Sequence, residues 1–96
     1  MDKPMKEFQK NADLLKVLSH PVRLCIVNGL LERESCNVSY MQHCMELPQS
    51  SISTHLQRLR SAGIVECERK GLEVTYRLVD KKVKNIIKIL FLHEED

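Results

Sequence analysis

A chain of 96 residues, 43% of them apolar and 29% charged, can build one small domain and is too short to divide into two cores. It has no run of about 20 apolar residues to cross a bilayer, and its apolar content excludes a wholly disordered chain, so a soluble protein with no membrane partner is expected. Fifteen Lys and Arg against thirteen Asp and Glu leave a net charge of only +2, so a nucleic-acid partner must be argued from where the charges lie.

Residues 6–18 place Phe8, Ala12, Leu15 and Leu18 at steps of three and four, the apolar stripe of a first helix. Ser19 is a suitable N-cap and Pro21 is tolerated in a first turn. A second helix is therefore expected from about His20 to Glu32, burying Val22, Cys25, Ile26, Gly29 and Leu30. Ser39 and Gln42 have the spacing of a capping box, which opens a short third helix over about 39–46. Pro48 suits the start of a fourth helix, in which Ile52, Leu56, Leu59 and Ala62 form the apolar face and Gly63 supplies the stop.

After Gly63 the apolar period changes to two. Val65 and Cys67, then Val74, Tyr76 and Leu78, alternate with polar residues and predict a two-stranded hairpin turning through Arg69-Lys70-Gly71-Leu72-Glu73. Asp80 caps a last helix whose Val83, Ile86, Ile87, Leu90 and Phe91 make a wide apolar stripe. The expected fold is mainly α with a small β-hairpin: five helices and a two-stranded wing, in a single domain over residues 1–96.

Two short helices joined by a three-residue turn are the layout of a helix-turn-helix, whose second helix enters the major groove of DNA. The polar side of that helix carries Gln49, Ser50, Ser51, Ser53, Thr54, His55, Gln57, Arg58 and Ser61, and residues 48–63 hold two arginines and no acid. Hydroxyls, amides and guanidinium groups reach base edges or phosphates. Any solvated helix can show such residues, but five Ser and Thr in one short helix cost helical stability, which points to contact chemistry. Arg69 and Lys70 at the hairpin tip, with Arg77 behind them, would lie along the sugar-phosphate backbone.

Three sequence segments carry a family resemblance: Leu18-Ser19-His20-Pro21-Val22-Arg23-Leu24, Leu47 to Val65 through Ser53-Thr54-His55-Leu56 and Ala62-Gly63-Ile64-Val65, and Tyr76-Arg77-Leu78. The sequence resembles the ArsR/SmtB family of bacterial winged-helix repressors over roughly residues 10–92. Pro48 stands where the family usually has a polar cap. The resemblance implies a homodimeric, sequence-specific repressor on a two-fold operator of double-stranded DNA, released by an inducer. The inducer would be a thiophilic or divalent metal ion, or a thiol-modifying species. The apolar stripes of the terminal helices, about 6–18 and 80–92, exceed the needs of one small domain and are expected to pair with a second copy through Phe8, Leu15, Val83, Ile86, Ile87, Leu90 and Phe91.

The family's sensing residues are only partly present. Its arsenic and cadmium positions fall on Asn37, Val38 and Ser39, with Cys36 one residue earlier. Its last-helix metal positions read Asp80, Lys82, His93 and Asp96, so Asp80, His93 and Asp96 are the candidate ligands and Lys82 opposes them. Asp80 and His93 lie about 20 Å apart along one helix, so a shared ion would need antiparallel helices from two chains. The second-helix cysteine of the persulfide sensors is replaced by Asn28.

No two of Cys25, Cys36, Cys44 and Cys67 have close zinc-finger spacing. The N-terminal residues lack the apolar core of a secretory signal, so a reducing cytoplasm and free thiols are expected. Cys25 and Cys44 fall on apolar faces, Cys67 points inward, and Cys36 beside a polar turn is the candidate exposed, sensing thiol. No nucleophile, base and orienting group recur in a catalytic arrangement, so an enzyme is not expected. The alternatives are a winged helix serving an acidic protein partner, and a family repressor without metal sensing.

Overall fold

The structure, a computed structural model, describes residues 1–92. In chain order the elements are α1 (Met5–Leu18), α2 (Pro21–Glu32), β1 (Cys36–Asn37), α3 (Val38–Met45), α4 (Gln49–Ser61), β2 (Val65–Lys70), β3 (Glu73–Leu78) and α5 (Lys81–Leu90). The five expected helices and the hairpin are all present.

The sheet has three strands, where two were expected, in the order β1-β3-β2 and antiparallel throughout. Cys36 opposes Tyr76 and Asn37 opposes Thr75. A two-residue strand is too short to show an alternating pattern, so it left no signal in the sequence. It nevertheless fastens the entry of α3 to the middle of the wing.

Two caps differ from expectation by one or two residues. His20 and not Ser19 caps α2, its Nδ1 accepting the Val22 N–H at 3.1 Å. Asn37 caps α3 by accepting the Tyr40 N–H at 2.8 Å, so the box expected at Ser39 and Gln42 does not form. Both replacements are acceptors on extended backbone, and each helix begins at the residue after its cap, Pro21 and Val38. Asp80 caps α5 as expected, accepting the Val83 N–H at 2.9 Å.

The core is built on the inner side of α4, where Ile52, Leu56 and Leu59 are shut away from solvent with Val27, Ile64, Val65, Val83 and Ile87. Val83 and Ile87 are therefore not dimer-contact residues: the inner face of α5 packs on its own α2. In α1 the packing face is Leu14, Val17 and Leu18, while Phe8 and Leu15 stay exposed. Cys25, expected in the core, is exposed at the surface of α2. No single helix among the described residues is long and apolar enough to cross a membrane; α1 and α2 reach that length only together, and they meet at 92°.

At the end of α4, Gly63 adopts φ 76°, and the Gly63 and Ile64 N–H groups donate to the Arg60 and Leu59 carbonyls, each at 3.0 Å. This paired closure uses the left-handed conformation that glycine accepts without a Cβ penalty. It turns the chain directly from α4 into β2. The C-cap of α3 solves the same problem with a worse residue: Glu46 sits at φ 54° in the left-handed region.

A side chain in that region costs about 1–2 kcal/mol, and glycine returns part of this as unfolded-chain entropy. Glu46→Gly is expected to raise the free energy of unfolding by about 0.5–1 kcal/mol. Urea denaturation checks it: the midpoint should rise with the slope unchanged, and a lower midpoint contradicts the strain.

Candidate nucleic-acid interface

With Ile52, Leu56 and Leu59 held in the core, the opposite side of α4 must face water. Gln49, Ser50, Ser53, Thr54, Gln57, Arg58 and Ser61 are all exposed there. The Thr54 hydroxyl already donates to the Ser50 carbonyl at 2.9 Å, leaving its methyl and lone pairs for an outside contact. Pro48 provides no side-chain cap, so the first N–H groups of α4 are left for solvent or an anion.

Two residues expected on that face sit differently. Ser51 is half-buried. His55 is also half-buried and turned toward α2, with its ring 4.3 Å from that of His20 and its Nδ1 3.1 Å from Arg23 Nη1. Burial first, then the positive neighbours His20 and Arg23, hold the His55 imidazole below its usual range, which disfavours its cation. Its position three residues after Ile52 and one before Leu56 marks the edge of the buried stripe, a signal present in the sequence and outweighed by its polarity.

The wing tip is open. Arg69, Lys70, Gly71 and Leu72 are exposed, and Gly71 turns the chain at φ 63°. Arg77 does not join them: it lies at the far end of β3 from the tip, paired with Glu66 across the ladder at 3.1 Å. One of its guanidinium nitrogens is taken by Glu66, so Arg77 is a paired cation set apart from the tip, with its remaining N–H groups still exposed.

The thiols also change places. Cys36, taken as the exposed one, is buried at 9% accessibility, because β1 tucks it against β3. Burial pushes its thiol up, with Arg33 only partly opposing this, which makes it a poor nucleophile. Cys25 and Cys44 are exposed, and with Cys36 they line a cleft of about 430 Å³ between α2 and α3. At its rim Arg33 lies 4.2 Å over the Tyr40 ring and donates to the Tyr40 hydroxyl at 3.1 Å. Cys67 is half-buried opposite Tyr76, facing inward as expected.

Among the described residues no three His, Cys, Asp or Glu side chains gather where they could hold a metal ion. Asp80 spends a carboxylate oxygen on the α5 cap, and Lys82 donates to Asn11 of α1 at 2.9 Å. His93 and Asp96 lie outside the described residues.

A polar helix face, a basic hairpin tip beside it and a shared core behind both define a winged helix-turn-helix. The sequence pattern of bacterial regulatory proteins of the arsR family matches residues 20–66. The transcriptional repressor PagR of Bacillus anthracis is 40% identical over 83 residues, covering 86% of this chain and 83% of that protein. Its crystal structure matches with a TM-score of 0.81 at 38% identity, over 91% of this chain and 99% of that one. Reduced HlyU from Vibrio cholerae matches with a TM-score of 0.85 at 32% identity, over 93% and 96%. The biofilm growth-associated repressor of Xylella fastidiosa is 37% identical over 86 residues, 90% of this chain and 75% of that protein.

The chain belongs to the arsR family of bacterial regulatory proteins. By this kinship it is a DNA-binding transcriptional regulator, and not an enzyme.

Burial ranks the thiols. In the native protein Cys25 and Cys44 are expected to react with iodoacetamide at least about tenfold faster than Cys36, and the difference should vanish in urea. Peptide mass mapping over time checks this; native Cys36 reacting as fast as Cys25 overturns its burial.

Proposed function

We propose that the protein represses transcription as a homodimer in the cytoplasm, with two copies of α4 in successive major grooves of a two-fold operator. The observation that carries this reading is the division of α4 into a fully buried inner side and an outer side of amides, hydroxyls and arginine with no acid. Gln49, Ser50, Ser53, Thr54, Gln57 and Arg58 take the base-edge and nearby phosphate contacts, and Arg69 and Lys70 position the wing on the backbone. HlyU is named a transcriptional activator, so the scaffold serves either sign of control. The sign depends on where the operator lies relative to the promoter.

The second copy covers the outer faces of α1 and α5. Met5, Phe8 and Leu15 on the first, and Ile89, Leu90, Phe91 and Leu92 at the end of the second, are large apolar side chains left in water. Ile86, half-buried, sits at the margin between this face and the core. Covering such a surface with itself gives an interface of the same character as the core. The whole of residues 1–96 then acts as one winged-helix domain with terminal helices for pairing.

Release by an inducer belongs to the same proposal. A thiophilic ion or thiol-modifying species would meet Cys25 and Cys44 first, because they open on the cleft beside α3, the first helix of the reading pair. A divalent ion at Asp80, His93 and Asp96 would require Asp80 to leave its capping bond. Native mass spectrometry with zinc, cadmium and arsenite, followed by DNA release, separates these inducers; if none binds, the protein is a family repressor without metal sensing.

A duplex recovered from a random-sequence library serves as operator. Gln49→Ala, Ser53→Ala and Gln57→Ala are each expected to cost about 1–3 kcal/mol of discrimination between that duplex and unrelated DNA. Arg69→Ala and Lys70→Ala should instead weaken all DNA alike and reduce the salt slope by about one each. Fluorescence anisotropy at several salt concentrations checks both, and unchanged discrimination in all three α4 variants sinks the assignment.

For the dimer, Leu15→Glu with Leu90→Glu is expected to give a folded monomer in sedimentation equilibrium. Its operator affinity should fall about a hundredfold or more as the paired half-sites are lost. A wild-type chain that sediments as a monomer at micromolar concentration contradicts the pairing.

A further inference from the structure

One guanidinium touches three helices. Arg23 stands in the first turn of α2; its Nε donates to the Val17 carbonyl near the end of α1, and its Nη1 lies 3.1 Å from His55 Nδ1 on α4. His20, the cap of α2, accepts the Val22 N–H on its own Nδ1 and packs its ring 4.3 Å from the His55 ring, tilted by 46°. All three side chains are half-buried, and none of them belongs to the outer DNA face.

We propose that Arg23 is a positioning residue for DNA reading: by gripping α1 and His55 together it fixes the angle at which α4 meets the groove, and acid loosens the grip. The inference rests on the reading of α4 as the recognition helix. A rigid, forked guanidinium can hold two acceptors in different directions, which a lysine ammonium on a flexible stem does poorly. Both rings serve as acceptors through Nδ1, so a proton on either nitrogen removes a bond that the arrangement uses.

The groups acting on His55 are His20 and Arg23 from the α2 side, and both disfavour its cation beyond the effect of burial. With the grip closed, His55 therefore binds a proton less readily than it does with the grip open. The closed arrangement is favoured at neutral and alkaline pH and is lost as the pH falls through and below the usual imidazole range. Bulk charge works in the opposite direction, because extra protons strengthen binding to any phosphate backbone. A fall in operator affinity in acid would thus report geometry.

The experiment uses the full chain, a duplex of about 30 base pairs selected from a random library by the wild-type protein, and unrelated DNA of the same length. Arg23→Lys keeps the charge and loses the fork; the ratio of selected to unrelated affinity is expected to fall about tenfold, with affinity for unrelated DNA within about twofold of wild type. Between about pH 7.5 and about pH 5.5 the wild-type ratio should fall about tenfold. His20→Asn with His55→Asn keeps an acceptor near each Nδ1 and cannot titrate there, so its ratio should change less than about threefold over the same range.

The proposal is overturned if Arg23→Lys leaves the ratio unchanged, or if the double asparagine variant keeps the wild-type fall, which would place the proton on another group. Circular dichroism confirms that the variants fold, and the double variant reads the grip even where Arg23→Lys lowers stability. A wild-type chain that selects no sequence refutes the DNA reading itself, an outcome distinct from both.

Discussion

The arrangement depends on α4 being held from one side only. Ile52, Leu56 and Leu59 recur on one stripe and are sealed by Val27 of α2, Ile64 and Val65 beyond the helix, and Val83 and Ile87 of α5. Complete burial of side chains of this size stabilises by about 1.5–3 kcal/mol each, enough to hold a helix whose Ser and Thr content makes it intrinsically weak. The other side is thereby free to be chosen for contact. Ile64 has a second role, since its carbonyl receives the Val79 N–H at 3.0 Å and ties the start of β2 to the chain leaving β3. α4, the wing and α5 therefore share one core.

That core meets α1 at few polar points, and the points are specific. Lys82 reaches Asn11 from α5, while Arg23 reaches Val17 from α2. Apart from these, α1 contributes Leu14, Val17 and Leu18 to packing and turns Phe8 and Leu15 away. The strip ends beside the His20–His55 pair, so α1 and α4 are linked through Arg23.

Most of the fold was legible because it is written in apolar periodicity and in strong stops: the helical stripe of α4, Gly63, the change of period at Val65, and Asp80. What could not be read was which partner each stripe meets. Phe8, Leu15, Val83 and Ile87 are equally apolar, yet the first two face water and the last two lie in the core. Periodicity gives the direction of a face and is silent on whether its own domain covers it. Cys36 was misread for a related reason. It follows Glu34 and Ser35, which promise solvent, but two residues of strand pairing with Tyr76 and Thr75 reverse that locally. At the candidate site the polar outer face was legible residue by residue, while His55 was placed by its chemistry when its position beside Leu56 already set its direction.

The near-zero net charge conceals a separation that the fold makes useful. Glu66 and Glu68 alternate with Val65 and Cys67 along β2, so the strand nearest α4 carries acids while the turn it leads into carries Arg69 and Lys70. Glu66 pairs with Arg77 across the ladder, which keeps a carboxylate on the strand nearest α4 from acting alone. Exposed pairs of this kind contribute little to stability, so the placement matters for the local field and not for the fold. A phosphate approaching the outer side of α4 then meets Arg58, amides and hydroxyls, and no acid on the helix. A net charge of +2 therefore says little about α4, whose exposed side carries arginine, amides and hydroxyls and no acid at all.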